Sequence, residues 1–195
     1  MKKTFKTTLA QLVLALAMIA TATWAQAITA FEPAQNLSGT NLVLNGAGTR
    51  YRTIFKAYDM GLYLKTRTSS VRAIVDLPGP KRVSFVALRE LPGSELGSAF
   101  YRGLEANSAK ALINKHVTSS LRLVEIFSGK SKILAGEAFA MEYVPGKGTQ
   151  FIIDGKTQGA PIGDSEFFSM ILMIWLGDSP ADWKLKDALL GQSGG

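Results

Sequence analysis

Apolar and polar residues alternate in parts of this chain with a period of two, which is typical of β-strands. The stretch Ile54–Leu64 is rich in β-branched and aromatic residues and predicts a long strand, with a bulge or bend near Gly61. Arg82–Glu90 alternates clearly and predicts the next strand. Residues 136–144 and 149–153 flank a turn that contains proline and glycine, and they predict a β-hairpin.

Other segments show the helical period. Apolar residues recur every three or four positions in Ser94–Asn107 and in Ala109–Phe127, and each pattern predicts a helix with one buried face. Phe167–Leu176 is apolar on nearly all sides, so we expect a helix buried in the protein core, since about ten residues are too few to cross a bilayer. Its phenylalanines and methionines suit either ordinary core packing or contact with a lipid-like ligand.

Capping residues indicate where further helices begin. A short helix is expected at Val71–Asp76, and either Asp164 or Ser165 can cap the apolar helix. Ser179 at the N-cap and Pro180 at the first helical position predict the start of a last helix. Strands, then helices, then a hairpin, then helices predict an α+β fold in which helices cover one face of an antiparallel sheet.

The first 27 residues have the three-part layout of a secretory signal peptide. Lysines precede the apolar run Leu12–Ala20, and Ala25-Gln-Ala27 supplies the small residues of a cleavage site. The run has roughly half the ~20 residues that cross a bilayer, so we expect no membrane span after cleavage. We therefore expect residues 1–27 to be removed and residues 28–195 to form one domain, exported to the periplasm of a Gram-negative bacterium.

Composition narrows the possible partners and cofactors. The formal net charge is +7, and three of these charges lie in the leader, which leaves +4 on a chain with scattered basic residues. No basic patch with interleaved aromatics is visible, so nucleic acid is not an expected partner, although anionic membrane surfaces and acidic ligands stay open. The chain has no cysteine and one histidine, His116, which we expect at the surface or rim. We expect no metal site and no cofactor, and no sequence feature indicates an oligomeric state.

The main candidate for binding chemistry is Arg50, which ends the run Leu44-Asn-Gly-Ala-Gly-Thr-Arg50. Gly46 and Gly48 predict either a turn or a close approach of the backbone to another element, since only glycine allows both freely. We expect Leu42–Leu44 to be a brief strand entering this turn, and the turn to deliver Arg50 to the next strand. A guanidinium fixed there suits a carboxylate or an enolate-like oxygen, and pairing with a structural carboxylate explains it equally well.

Three further residues are candidates to share a ligand with Arg50. Strand alternation places Tyr58 on the same parity as Arg50 and Tyr63 on the other, unless a bulge at Gly61 shifts the register, so Tyr58 is the expected partner. Arg89 shares the face of its strand that carries the larger apolar residues. It is either a second cation over a pocket or an arginine at a strand end in water.

The residues around Arg50 also carry a family resemblance. Gly46-Ala-Gly-Thr-Arg50, followed by Phe55-Lys-Ala-Tyr58 and Gly61-Leu-Tyr-Leu64, resembles the core of the chalcone isomerase family, and is most similar to its bacterial exported chalcone isomerase-like branch. Ile174-Trp-Leu-Gly-Asp178 resembles the same branch, and together the match covers most of the chain after the leader. The resemblance implies an open-faced β-sandwich with helices packed on a large sheet and a ligand cleft between them.

Two functions of different classes follow from the resemblance. In plant chalcone isomerases the matching arginine stabilises a phenolate and an enolate during cyclisation of a chalcone, helped by a threonine, a tyrosine and an asparagine. Tyr58, Leu96 and Gly103 stand at the positions of those helpers here, and of these only Tyr58 can hydrogen-bond through its side chain. Other family members bind fatty acids with a basic residue and a tyrosine, which Arg50 with Tyr58 or Tyr63 matches.

We therefore expect a non-catalytic binder of a fatty-acid-like or other small amphipathic carboxylate, in a cleft anchored by Arg50. Tyr58, Tyr63 and Arg89 are the other candidate ligand-binding residues. The alternative is an intramolecular lyase of the chalcone isomerase type, with Arg50 as its catalytic residue. A third interpretation is an exported interaction protein with a closed cleft, in which Arg50 only holds the turn in place.

Overall fold

The computed structural model describes residues 29–192, so the predicted leader and its cleavage site lie outside the described residues. The strands of this part are β1 (Ala34–Leu37), β2 (Thr40–Arg52), β3 (Phe55–Leu64), β4 (Lys81–Ala87), β5 (Leu91–Pro92), β6 (Lys132–Ile133), β7 (Ala138–Val144), β8 (Gly148–Ile153) and β9 (Lys156–Thr157). The helices are α1 (Val71–Asp76), α2 (Gly93–Asn107), α3 (Lys110–Lys115), α4 (Val117–Ser128), α5 (Ser165–Leu176) and α6 (Trp183–Leu189). No helix of residues 29–192 has the length and apolar character needed to cross a bilayer.

The main sheet has seven antiparallel strands in the order β1-β2-β3-β4-β7-β8-β9, and β5 pairs with β6 in a separate short ribbon. Helices cover one face of this sheet, and the large core lies between the two layers. Trp175 of α5 marks its centre, because its ring lies 5.2 Å from Phe85 of β4 and 5.7 Å from Phe100 of α2, centroid to centroid. The predicted α+β fold with helices on one face of an antiparallel sheet is confirmed.

The other face of the sheet carries a smaller set of contacts. Tyr63, buried there with Leu37 and Leu42, donates a hydrogen bond from its hydroxyl to the Glu32 carbonyl at 2.9 Å. The buried carboxylate of Asp59 accepts hydrogen bonds from the backbone and the hydroxyl of Thr29, both at 2.6 Å. These bonds attach the first described residues to the sheet, so the chain before β1 covers part of this outer face.

Gly46 and Gly48 lie inside a continuous strand, so the predicted turn at residues 46–50 is wrong. A Cβ built on Gly46 would lie 2.1 Å from the Ala188 carbonyl oxygen, and one on Gly48 would lie 2.7 Å from the Ala188 Cβ. Helix α6 therefore packs directly on the backbone of β2, which only glycine permits at these two positions. The alternative explanation, close approach of another element, is the correct one.

The hairpin that joins β2 to β3 turns at residues 53–54, and β3 begins at Phe55, one residue after the start of the predicted strand Ile54–Leu64. The register between these strands shifts at two places, because Asn45 is an extra residue on β2 and Ala57 an extra residue on β3. Gly61 is paired in register with Ala47, so the bulge expected there is absent. Arg50 of β2 is paired with Tyr58 of β3 across this hairpin, whereas the sequence predicted only that both lie on one face of a single strand.

Two helix predictions also need correction. The helix expected over 109–127 is broken at His116, which ends α3 and precedes α4. The last helix is capped by Asp182 and not by Ser179, because the Asp182 carboxylate accepts hydrogen bonds from two backbone N–H groups of α6, at 2.9 and 3.1 Å. The Asp182 side chain also binds the backbone N–H of Tyr51 at 2.8 Å, and this tertiary contact fixes the position of the cap.

Candidate ligand-binding site

Arg50 lies near the end of β2, on the face of the sheet that the helices cover. Its guanidinium carbon is 5.5 Å from the centroid of the Tyr58 ring, within the range of a cation–π contact. The Nε atom is buried and has no hydrogen-bond partner, and no carboxylate within residues 29–192 forms an ion pair with the side chain. The structure therefore does not support the explanation that Arg50 pairs with a structural carboxylate.

Arg50 lines a cavity of about 290 Å³ between the end of the sheet and the start of α2. One part of the lining is apolar, contributed by Phe55, Ala57, Leu91, Pro92, Leu96 and Ala99. The other part is charged, contributed by Arg50, Arg52, Arg89, Glu90 and Glu95. A cavity with one apolar wall and a few convergent charges is the usual form of a site for a small amphipathic molecule.

A second cavity of about 420 Å³ adjoins the first and shares Arg50, Arg52, Glu95 and Ala99 with it. Arg102 and two serines of α2 complete its lining. We call the two cavities together the arginine cleft, since four arginines and two glutamates line it. Both glutamates already have partners: the Glu90 carboxylate binds Lys132 Nζ at 2.7 Å, and the Glu95 carboxylate binds Arg52 at 3.4 Å. The cleft is therefore positively charged and suits an anion.

Tyr58 supports Arg50 from below and is not part of the cleft lining. Its hydroxyl oxygen accepts a hydrogen bond from Nε1 of Trp175 at 2.8 Å, and both side chains are fully buried. Burial raises the pKa of the Tyr58 phenol, while the positive charge of Arg50 acts in the opposite direction. The phenol therefore stays neutral, and its buried ring holds the Arg50 guanidinium through the cation–π contact.

The structure brings three of the four candidate residues to the same place. Arg89 lines the cleft, and its guanidinium carbon lies 5.3 Å from the centroid of the Phe55 ring. Tyr63 lies on the outer face of the sheet, where its hydroxyl is bonded to a backbone carbonyl. Arg50 and Arg89 can thus meet one ligand, Tyr58 lies directly beneath Arg50, and Tyr63 is separated from all three by the sheet. Their roles in binding stay predictions.

Sequence reasoning missed Arg52, Arg102 and Glu95 as cleft residues. A signal for Arg52 exists, because it follows Arg50 by two positions and so has the same strand parity. Glu95, Ser98 and Arg102 are spaced by three and four residues, which places them on one polar face of α2. Only the packing of α2 on the sheet shows that this face meets β2.

The two helper positions implied by the family resemblance carry no hydrogen-bonding side chain in the cleft. Leu96 is buried and lines the cavity with its alkyl carbons. Gly103 faces Ile174, since a Cβ built there would lie 2.7 Å from the Ile174 Cγ2 atom. The polar groups of the cleft lining are thus the arginines, the glutamates and the serines of α2.

A second titratable cluster lies at the break between α3 and α4. His116, expected at the surface or rim, is only 7% exposed, so that prediction is wrong. Its Nε2 lies 2.7 Å from a Glu166 carboxylate oxygen that also binds Lys115, while Asp164 caps α5 through the backbone N–H of Phe167. Although the donor atoms of His116, Asp164 and Glu166 lie within 4.8 Å of one another, each has a protein partner, so the cluster acts as a link between helices.

This link predicts a pH-dependent contribution to stability. Hydrogen bonds from Lys115 and then His116 lower the pKa of Glu166 below its ordinary value of 4.5. A lowered pKa in the folded state stabilises the protein above that ordinary value and ceases to do so as the pH falls through the lowered one. We expect the difference in Tm between wild type and Glu166→Gln to be largest near neutral pH and to shrink below about pH 4.5. Thermal unfolding monitored by circular dichroism between about pH 3 and 7 measures it.

Glu105 on α2 is the matched control, because it is exposed and has no ion-pair partner among the described residues. Glu105→Gln is expected to follow the wild-type pH profile. A constant Tm difference between Glu166→Gln and wild type over the whole range would contradict the proposed link.

Comparison with known proteins adds the family. Proteins of curated function give no match to this chain. Among solved structures, a fatty-acid binding protein of Arabidopsis thaliana is similar with a TM-score of 0.64 and 14% sequence identity, over 84% of this chain and 92% of the other. The sequence profile of the chalcone isomerase-like family matches residues 25–191, so residues 1–24 lie outside the match. The chain belongs to the chalcone isomerase-like family.

Proposed function

We propose that this protein binds a small amphipathic carboxylate of the fatty-acid type in the arginine cleft and does not transform it. The observation that carries the proposal is Arg50, a half-buried cation that lines a partly apolar cavity and has no acidic partner in the part of the chain that the structure describes. A partly desolvated guanidinium without a counter-ion is unfavourable, and a carboxylate head group satisfies it with two parallel hydrogen bonds.

The apolar wall of the cavity supplies the place for the tail of such a ligand. Phe55, Leu91 and Leu96 are its largest apolar members. The volume of about 290 Å³ is at the lower end of the range for small-molecule sites, so the cleft favours a compact ligand over a long-chain fatty acid. Arg89 lies at the same cavity and can share the charge of the head group.

The structural neighbour supports the proposal only through the fold. The Arabidopsis protein is a fatty-acid binding protein, and its likeness at 14% identity concerns the arrangement of sheet and helices. Carboxylate binding by this chain is therefore proposed from the residues of its own cleft.

The isomerase alternative has one observation in its favour. A guanidinium that faces an apolar cavity can also stabilise an enolate or a phenolate. The positions of two helper residues are Leu96 and Gly103, which offer no side-chain donor, so the binder is the better supported function. Turnover of a chalcone by the purified protein that is lost in Arg50→Gln would favour the enzyme instead.

We also propose that the protein is exported and that its leader is removed after Ala27. The proposal is based on the lysines, apolar run and small residues of the first 27 positions. Native mass spectrometry of the protein purified from its own compartment gives the mass of the mature chain, which begins at Ile28 if the proposal is correct. The same spectrum reports any carboxylate that is released on denaturation.

Replacing Arg50 tests the binding site directly. We expect Arg50→Gln to weaken the binding of octanoate at least about tenfold, because one charge-assisted hydrogen-bond pair contributes roughly 1.5–3 kcal/mol. Isothermal titration calorimetry with octanoate, dodecanoate and palmitate measures the affinities and the preferred chain length. Octanol, which has the same tail without the charge, is expected to bind wild type and Arg50→Gln about equally.

Arg122→Gln is the matched control variant, since Arg122 lies on α4 in an exposed pair with Glu125. It is expected to bind octanoate like the wild type. An equal affinity of octanoate for wild type and Arg50→Gln contradicts the role of Arg50. A protein that is empty when isolated and takes up none of the three carboxylates contradicts the carboxylate-binding function. That result favours the interpretation as an interaction protein.

A further inference from the structure

Large apolar side chains lie exposed at one end of the sheet, around the turn between β2 and β3. Ile54 in the turn is 78% exposed, Phe55 beside it 58%, and Trp183 at the start of α6 60%. Tyr51 and Leu134 are exposed as well. We call these five residues the hairpin patch. Isolated exposed apolar residues need no explanation, but a group of this size at one place indicates an interaction site.

The contacts of the backbone hold the members of the hairpin patch together. The N–H of Tyr51 donates to the carboxylate of Asp182 at 2.8 Å, and Trp183 is the next residue. Leu134 lies in the loop that Gly136 attaches to the end of β4 through a backbone hydrogen bond of 2.8 Å. The patch therefore combines the hairpin with the start of a helix and with a loop attached to the end of β4, and Phe55 also lines the arginine cleft.

The turn itself is not optimised for stability. Thr53 has φ of 60°, a left-handed conformation that is unfavourable for a β-branched residue. Glycine or asparagine at this position and a polar residue in place of Ile54 would be the usual choice for a two-residue hairpin. A strained residue next to an exposed isoleucine indicates that the turn serves an interaction.

The charges around the hairpin patch are mainly positive. Arg89 lies over the Phe55 ring, and Lys184 follows Trp183 in α6. Neither cation forms an ion pair with a carboxylate of residues 29–192. Two acids of this region are already engaged: Glu90 binds a lysine at 2.7 Å, and Asp182 caps α6. An apolar tip with free cations beside it is complementary to an anionic surface with an apolar interior.

We propose that the hairpin patch docks this protein on an anionic lipid bilayer, with Ile54, Phe55 and Trp183 inserted among the acyl chains and the neighbouring cations facing the headgroups. Aromatic residues are typical of the membrane–water interface, and basic residues near it are attracted to anionic lipids. The proposal goes beyond the carboxylate-binding function. Phe55 and Arg89 also line the cleft, so Ile54 and Trp183 are the residues that report on docking alone.

Vesicle binding tests the docking surface. The purified full chain is mixed with vesicles of phosphatidylglycerol and phosphatidylcholine, and with vesicles of phosphatidylcholine alone, and the bound fraction is measured by sedimentation. We expect the mixed vesicles to bind at least about tenfold more protein at low salt, and this excess to fall as salt is added. We expect the double variant Ile54→Ser with Trp183→Ser to lower binding to the mixed vesicles about tenfold or more.

Val117→Ser with Leu121→Ser is the matched control, because these two exposed apolar residues lie on α4 outside the hairpin patch. It is expected to bind vesicles like the wild type. Ile54 and Trp183 do not line the arginine cleft, so the octanoate affinity of the double variant reports on the carboxylate-binding function separately.

Two results would overturn the docking proposal. One is the absence of binding to the mixed vesicles, and a protein that then crosslinks to position 54 or 183 in the native compartment would assign the hairpin patch to a protein partner. The other is equal binding by the double variant and the wild type. A loss of octanoate binding with vesicle binding intact would contradict only the carboxylate-binding function.

Discussion

Gly46→Ala is expected to lower the free energy of unfolding by about 3 kcal/mol or more, which is the upper end of the usual cost of overpacking. The added Cβ would lie 2.1 Å from the carbonyl oxygen of Ala188 and 2.7 Å from that of Leu189. Both are backbone atoms, so no side-chain rotation relieves the clash and α6 must move away from β2. The hydrogen bond from Asn45 Nδ2 to the Leu189 carbonyl, 2.7 Å long, is lost with this movement. Urea denaturation monitored by circular dichroism measures the change.

Gly129→Ala is the control for this substitution. Gly129 has φ of −68° at the end of α4, and a Cβ there would meet its nearest atom at 3.1 Å. We expect its free energy of unfolding to differ from wild type by less than about 1 kcal/mol, because alanine is compatible with this backbone conformation. A Gly46→Ala variant as stable as Gly129→Ala would show that α6 does not pack on β2 as described.

The contact between α6 and β2 also links stability to the site. Asp182 at the start of α6 binds the backbone of Tyr51, next to Arg50. Displacement of α6 therefore releases the end of the strand that carries Arg50. We expect octanoate binding to weaken in Gly46→Ala even in the fraction that stays folded, since the guanidinium is no longer held in one position.

Tyr58→Phe is expected to lower the free energy of unfolding by about 2 kcal/mol, within the range of 1–3 kcal/mol for a buried polar group left without its partner. The substitution removes the oxygen that accepts the hydrogen bond from Trp175 Nε1 at 2.8 Å. Both side chains are buried between the sheet and α5, so water cannot replace the lost acceptor without a rearrangement. Urea denaturation gives the difference, and an unchanged m-value indicates that the denatured state is not altered.

Tyr63→Phe is the matched control, because it removes the same atom from a tyrosine on the outer face of the sheet. The Tyr63 hydroxyl donates to the Glu32 carbonyl in a partly buried setting, so water can take its place and we expect a loss of only about 0.5–1.5 kcal/mol. A double-mutant cycle with Trp175→Phe separates the interaction of Tyr58 with Trp175 from the change in packing. A coupling energy near zero would show that the buried hydrogen bond contributes nothing to stability.

The sequence by itself determined the type and approximate position of most elements. The alternation in Arg82–Glu90 and the apolar stripe of residues 94–107 depend on neighbours in the chain, which fix the period of two or of 3.6. The same local rule gave Arg50 and Tyr58 one parity, while their pairing across a hairpin between β2 and β3 is visible only in the structure. The α+β class follows from the order of these elements, whereas the family resemblance comes from the motif residues themselves.

Tertiary contacts decided the rest. Gly46 could be a turn residue or a contact residue by its own properties, and only the carbonyl of Ala188, far away in the chain, makes it the second. In the same way Asp182 became the cap of α6 because it meets Tyr51, and His116 became buried because it meets Glu166. Contacts between residues distant in sequence produce no periodic pattern along the chain, since neither residue's position in the sequence indicates where its partner lies.

The candidate site was likewise predicted in part from the sequence and decided in part by tertiary contacts. Arg50 and Arg89 could be selected from the sequence because each is an arginine next to a predicted apolar strand. Whether such an arginine meets water, an acid or a cavity depends on the helix packed against the strand, and α2 supplies the wall that makes this place a cleft. The strand pattern determined which side of the sheet each charged side chain lies on. The packing of helix on sheet decided what these side chains face, because a residue is buried only by the contact between two elements.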